Sequence, residues 1–184
     1  MQNGGMSVFT NPATGAAEHA AAYVDAILEL LGDRDPLVVL RETVDALPRA
    51  IAGLSPEQLR QSERPGKWSI VQILQHLADS EIVGSWRFRL ILAQDRPPLT
   101  GYDQDSWAER LRYEDADPAE AVALFTMLRR ANLRLLERVT PADLARVGVH
   151  AERGEESIEH LRRLYAGHDL LHLRQITRVA RAVA

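Results

Sequence analysis

The chain has 184 residues, with 26 acidic and 22 basic side chains, a net charge of −4 and no cysteine. That length suits one domain, or one domain with a terminal extension, and a hydrophobic share of 46% against 26% charged residues excludes disorder as the default. The missing cysteine excludes disulfides, Cys-ligated zinc, iron–sulfur clusters and any thiolate nucleophile of the chain's own, while the acidic balance argues against non-specific nucleic-acid binding.

The first basic residue is Arg34, so the N-terminus lacks the positive start of a signal peptide. No apolar run approaches the ~20 residues that span a bilayer. The expectation is a cytoplasmic protein that engages neither membrane nor nucleic acid.

Residues 1–16, with Gly4, Gly5, Asn11 and Pro12, read as a loose tail. A lead helix follows over about 17–32. The next helix starts at Asp35-Pro36, where the carboxylate accepts from free backbone N–H groups and proline occupies the first helical position. It runs to about Leu54, with Pro48 kinking it or ending it early. Ser55-Pro56 with Gln58 forms a capping box, and Ser69 with Gln72 starts a long helix from Ile70 to about Ala93, stopped by Asp95, Pro97 and Pro98. Leu99–Asp117 is a long connection with a short helix at Asp105–Leu111. Asp117-Pro118 with Glu120 opens a helix to about Val139, and Thr140-Pro141 begins a further start. The segment 140–156 reads as another long connection, ending in Glu152-Arg153-Gly154, and the last helix runs from about Ser157 to Val183. No run of alternating β-branched residues signals a strand. The predicted fold is all-α, a four-helix bundle with long connections and an extra N-terminal helical segment. The predicted division is a tail and lead helix over 1–34 and a bundle domain over 35–184.

Polar residues on core faces carry the chemistry. At 100° per residue, Leu161, Leu164, Tyr165, His168, His172, Gln175 and Val179 share one stripe of the last helix. His168 and His172 are four residues apart, the spacing that lets one helix offer two ligands to one metal; each could equally bond a buried carbonyl. On the helix from Ile70, His76 sits at the edge of the seam Ile70, Ile73, Leu74 and Leu77, on the side it shares with Ser69, Ser80 and Arg87. His19, His150 and His160 lie off these faces. Phe125, Leu128, Arg129, Asn132 and Leu136 share another face, so Arg129 and Asn132 must find partners in the core, either in a bracing network or in a polar pocket.

These residues carry a family pattern. Pro65-Gly66-Lys67-Trp68-Ser69-Ile70, Gln75-His76-Leu77-Ala78-Asp79-Ser80-Glu81 and Trp86-Arg87 are followed by Gly101-Tyr102-Asp103-Gln104-Asp105-Ser106-Trp107. Phe125, Arg129, Asn132 and Leu136 come next, and Ala166-Gly167-His168-Asp169-Leu170-Leu171-His172-Leu173 closes the series. Over residues 36–184 the chain resembles the DinB/YfiT-like superfamily of metal-binding four-helix bundles. The resemblance implies one divalent metal ion, nickel or zinc, held by His76, His168 and His172. It further implies either hydrolysis of a small substrate or transfer of a low-molecular-weight thiol, such as bacillithiol, to an electrophile. A non-catalytic metal-binding stress-response module is the alternative. The lead segment has no counterpart in the family pattern.

Three imidazoles leave positions open for water or substrate, as in catalytic zinc sites. Any thiolate must come from a small molecule, since the chain has none. Arg87, Arg129, Asn132, Gln175, Tyr102 and Trp107 are the candidates for binding substrate or supporting the ligands, with Gln175 one turn past His172 placed to hydrogen-bond it. Asp79 or Glu81 could act as general base, though a solvated carboxylate or an Arg87 partner is the plainer reading, and no catalytic acid or base is assigned. Dimerisation through a remaining apolar face is a further expectation.

Overall fold

The computed structural model describes residues 16–184, with side chains from residue 21 onward. The expected tail thus lies outside the described residues but for Ala16, as does the His19 side chain. Helix α1 spans Ala16–Leu31, α2 Pro36–Ile51, α3 Pro56–Arg60, α4 Ile70–Ala93, α5 Gln104–Arg110, α6 Pro118–Leu136, α7 Pro141–Leu144 and α8 Ile158–Val183. The starts are set by local chemistry: Asp35 and Asp117 accept from backbone N–H groups of their first turns, and Ser55, Ser69 and Thr140 close full capping boxes. Such caps are worth about 1 kcal/mol each. Helix α2 ends at Ile51, one turn after Pro48.

Four helices make the bundle. Helix α2 packs against α8 and α6, and α4 packs against the same two from the opposite corner, so α2 and α4 face each other across the diagonal. Helix α1 lies along the outside of α8. It approaches closely because residue 167 is glycine: a Cβ there would collide with the Ile27 carbonyl. No helix among the described residues is long and apolar enough to cross a membrane.

The strands were absent from the sequence reading, and here it is corrected. Strand β1 (Pro98–Leu99) runs parallel to β2 (Val147–His150), which pairs antiparallel with β3 (Gly154–Ser157). In β2 the two inward positions are Gly148 and His150, so no apolar alternation shows in the sequence. Glycine is required at 148, where a Cβ would come within 2.8 Å of the Leu99 side chain. The small sheet fastens the connection after α4 to the hairpin before α8, and so brings Tyr102, His150 and Arg153 to one end of the bundle.

The interior is divided. One apolar cluster includes Leu40, Phe88, Ile91, Leu136, Leu161 and Ala166, and the other includes Leu47, Ile73, Leu77, Phe125, Ile176 and Val179. Between them, on every bundle helix, lie buried polar residues: Thr43, His76 with Asp79, Ser80 and Glu81, Arg129 with Asn132, and Asp169 with His172. Arg129, 2% exposed, donates to the Leu40 carbonyl (3.1 Å), to Glu81 Oε1 (2.9 Å) and to both carboxylate oxygens of Asp169. Asn132 donates to Glu81 Oε2 at 2.9 Å. Burial raises the Asp169 pKa, against the pull of Arg129.

Removing one member of a buried ion network leaves its partners charged and unpaired, at about 3–5 kcal/mol. Arg129→Met should therefore lower the melting temperature by on the order of 10 °C, measured by circular dichroism. Arg178→Ala, which breaks the ion pair to Glu63 at the surface, should leave it nearly unchanged.

Candidate metal centre

His76 projects from α4, and His168 and His172 from α8. Their nitrogens converge: His76 Nε2 and His172 Nε2 lie 3.0 Å and 3.1 Å from His168 Nε2, and one donor atom from each histidine falls within 4.8 Å of the other two. Burial, then repulsion from His172, holds the His76 pKa well below 6.5. Burial and the neighbouring imidazoles do the same for His168. Burial brings His172 down to about 4, opposed by Gln175. All three are neutral near pH 7, the state a metal ligand needs.

The donor set fits a cation. His172 Nδ1 donates to Gln175 Oε1 at 2.8 Å, which leaves its Nε2 as a lone pair facing inward. His168 Nε2 has two nitrogen neighbours and can give a proton to only one of them. A single cation would satisfy all three nitrogens together. Nitrogens about 2.1 Å from one tetrahedral ion stand roughly 3.4 Å apart, close to the 3.0 Å and 3.1 Å of the two pairs around His168.

The cluster opens through His76 and His168 onto a cleft of about 650 Å³, measured with its open mouth. His76 and His168 line it with Ser80, Arg87 and Tyr165, with Gly101, Tyr102 and Gln104 of the connection after α4, and with Glu152 and Arg153 of the β2–β3 turn. Tyr23, Ile27 and Leu164 complete the wall. Tyr102 OH lies 3.1 Å from Ser80 Oγ. Burial raises the phenol pKa of Tyr102, and likewise of Tyr23 and Tyr165.

The other sequence candidates separate clearly. Arg87 lines the cleft and Gln175 bonds a histidine of the cluster, whereas Arg129 and Asn132 belong to the ion network. Trp107 lies behind Tyr102, ring centroids 4.4 Å apart, outside the cleft lining. Asp79 and Glu81 correct the sequence reading, being neither solvated nor paired with Arg87. Asp79 accepts from Tyr113 OH (2.6 Å) and Gln75 (3.0 Å), and Glu81 is held by Arg129 and Asn132. Sequence reasoning passed over His150, 1% exposed beside Arg87, and the cleft residues Tyr23 and Arg153. Two of these lie in or beside strands too short to read, and Tyr23 lies on the lead helix, whose docking no motif announces.

Residues 40–176 match the family described as the DinB superfamily. The chain belongs to that superfamily. It is 31% identical over 144 residues, 78% of this chain and 81% of the relative, to the "Putative metal-dependent hydrolase YfiT" of Bacillus subtilis. It is 34% identical over 139 residues, 73% of this chain and 80% of the relative, to a "Putative metal-dependent hydrolase" of Oceanobacillus iheyensis. The solved structure of YfiT, described as "a probable metal-dependent hydrolase with an unusual four-helix bundle topology", superposes with a TM-score of 0.75 at 30% identity, covering 79% of this chain and 84% of that one.

Two outcomes follow for the DinB cluster. Gln175→Leu should weaken divalent-metal affinity about 10–100-fold by freeing the His172 ring, as read by competition with a chromogenic chelator. The depressed histidines also set a pH dependence. Below pH 6.5 the unfolded chain takes up protons that the folded, metal-free chain refuses, so stability falls with pH from 6.5 toward 4. The slope is about 1.4 kcal/mol per pH unit per such histidine. Melting curves of metal-free protein between pH 7.5 and 5 should show the fall, and His172→Gln should flatten it.

Proposed function

We propose that this DinB protein is a metal-dependent enzyme that acts on a small molecule in the cleft, holding nickel or zinc through His76, His168 and His172. The observation that carries the reading is the position of the three converging nitrogens: two of the three histidines, His76 and His168, line an open cleft, so the cluster is not sealed inside the bundle. A divalent ion on neutral imidazoles acidifies a bound water or thiol and polarises an electrophile.

The chain's own residues supply the rest. Gln175 fixes the His172 tautomer so that its lone pair faces the site. The phenols of Tyr23, Tyr102 and Tyr165 stay protonated at neutral pH, so they act as hydrogen-bond donors toward negative charge developing on a substrate. Asp79 and Glu81 have their lone pairs engaged elsewhere, and Glu152 is the one carboxylate among the described cleft residues. A nucleophile that reaches the site already acidified suits this lining.

The nucleophile is water in a hydrolase and a low-molecular-weight thiol in a transferase. With no cysteine in the chain, transfer draws on an external thiol, and a reducing cytoplasm supplies one. The scarcity of carboxylates in the cleft lining favours one second reading, a metal-binding module without turnover.

Purified wild type should contain about one equivalent of nickel or zinc by elemental analysis, and His168→Ala should lose both metal and activity. Ester, amide and electrophile substrates are screened with and without added thiol. Turnover in water alone marks a hydrolase, and turnover that requires thiol marks a transferase. Stoichiometric metal with no turnover in either screen would favour the binding module.

A further inference from the structure

Two arginines are buried in this bundle, and the fold treats them differently. Arg129 faces two carboxylates. Arg87, 6% exposed on α4, has no carboxylate within 4.0 Å among the described residues. It donates to the Thr100 carbonyl (2.7 Å) and lies 3.3 Å from His150 Nε2, while its Nε is buried without a partner. His150 is no counter-ion, since an imidazole is neutral or positive; burial, then Arg153 and Arg87, brings its pKa down to about 4, so it accepts from Arg87 as the neutral ring. Arg153, the other arginine of the cleft, holds both oxygens of the buried Glu156 at 2.7 Å and 3.0 Å, and Arg87 acts on that carboxylate only from beyond ion-pair distance, adding to the lowering of its pKa. Glu152 also lines the cleft, beyond ion-pair distance of Arg87.

An arginine cannot escape burial by losing its proton, and a buried charge without a partner is unfavourable. Arg87 lines the same cleft as His76 and His168, and the cleft is open to solvent. Its counter-ion can therefore enter from outside. We propose that Arg87 anchors a carboxylate subsite, with the Tyr102 and Tyr165 hydroxyls as neighbouring donors, and that a molecule processed at the histidine cluster carries a carboxylate there. The substrate class in this proposal rests on the enzyme reading above; the subsite itself does not.

The subsite also sets a length. His76 and Arg87 are three helical turns apart on one face of α4, about 16 Å between Cα positions. Both side chains lean toward the helix N-terminus, the longer Arg87 further than His76, so the gap between their tips is shorter than that rise. The carboxylate then lies on the order of 10 Å from the histidine nitrogens, so the ligand is extended, with its charge several bonds from its reacting end.

Linear probes test this by calorimetric titration. In metal-free protein, hexanoate should bind at least tenfold more tightly than hexanamide, and Arg87→Met should abolish that preference. In nickel- or zinc-loaded protein, 6-mercaptohexanoate should bind at least tenfold more tightly than 6-mercaptohexanol, and Arg87→Met should remove the difference while leaving the metal content at one equivalent. Arg87→Lys, which keeps the charge, should retain part of the preference. It also keeps the test open if the methionine variant unfolds, as circular dichroism would reveal. Equal binding of acid and neutral probe to folded wild type would overturn the subsite, as would a preference that survives in Arg87→Met. Failure to load metal, with the hexanoate preference intact, would instead sink the enzyme reading and leave the subsite standing. Whether the carboxylate belongs to the electrophile or to the thiol is decided by which KM rises in Arg87→Lys once a substrate is in hand.

Discussion

Arg129 reaches from α6 to the three other helices of the bundle: to a backbone carbonyl of α2, to Glu81 of α4 and to Asp169 of α8. Nothing apolar could fix the helices in this way, since the hydrophobic effect is non-directional and tolerates sliding. A guanidinium, with its planar fork of donors, can donate to its carboxylates in few arrangements. Asp169 directly follows His168, and Glu81 lies little more than one turn beyond His76. The register that pairs Arg129 with both carboxylates is the one that brings the histidines of α4 and α8 together. The metal centre and the ion network are thus two faces of one alignment of α4 on α8, clamped above and below by the two apolar clusters.

This arrangement explains what the sequence could and could not show. Helix starts are written locally, as an acceptor followed by proline or a capping box, and the structure has helices beginning at those points. The histidines could be paired in advance because i, i+4 spacing and an apolar seam are properties of one helix. Asp79 and Glu81 could not be placed, because their partners Tyr113, Arg129 and Asn132 arrive from elements 34 to 51 positions away. The same holds for the sheet. Its inward residues in β2 are a glycine and a histidine, and its pairing with β1 joins segments about fifty positions apart, so no local period records it.

The lead helix is a further case of non-local information. The family match begins at residue 40, so α1 lies outside it. Yet α1 supplies Tyr23 and Ile27 to the cleft wall, and its seat on α8 depends on the missing side chain of Gly167, one residue before His168. A methyl group there would push the two backbones apart beside the histidine cluster. The segment thus shapes one side of the cleft while the four bundle helices hold the donors.

The contrast between the two arginines shows where the fold spends polarity on structure and where on the cleft. Around Arg129 the chain provides more negative charge than positive, and burial answers by raising the Asp169 pKa. Around Arg87 it provides a carbonyl and a neutral imidazole, and the two carboxylates of the adjoining turn and strand stay beyond ion-pair distance, with Glu156 bonded to Arg153 instead. Both environments have similar burial, so burial alone does not account for the difference. What differs is access: Arg129 lies wholly among the four helices, whereas Arg87 lines a cleft shared with His76 and His168. An electrostatically closed layer holds the helices in register, and an electrostatically open one beside it has imidazole lone pairs and a positive charge in its lining. That combination presents complementary chemistry to the two ends of an extended anionic ligand.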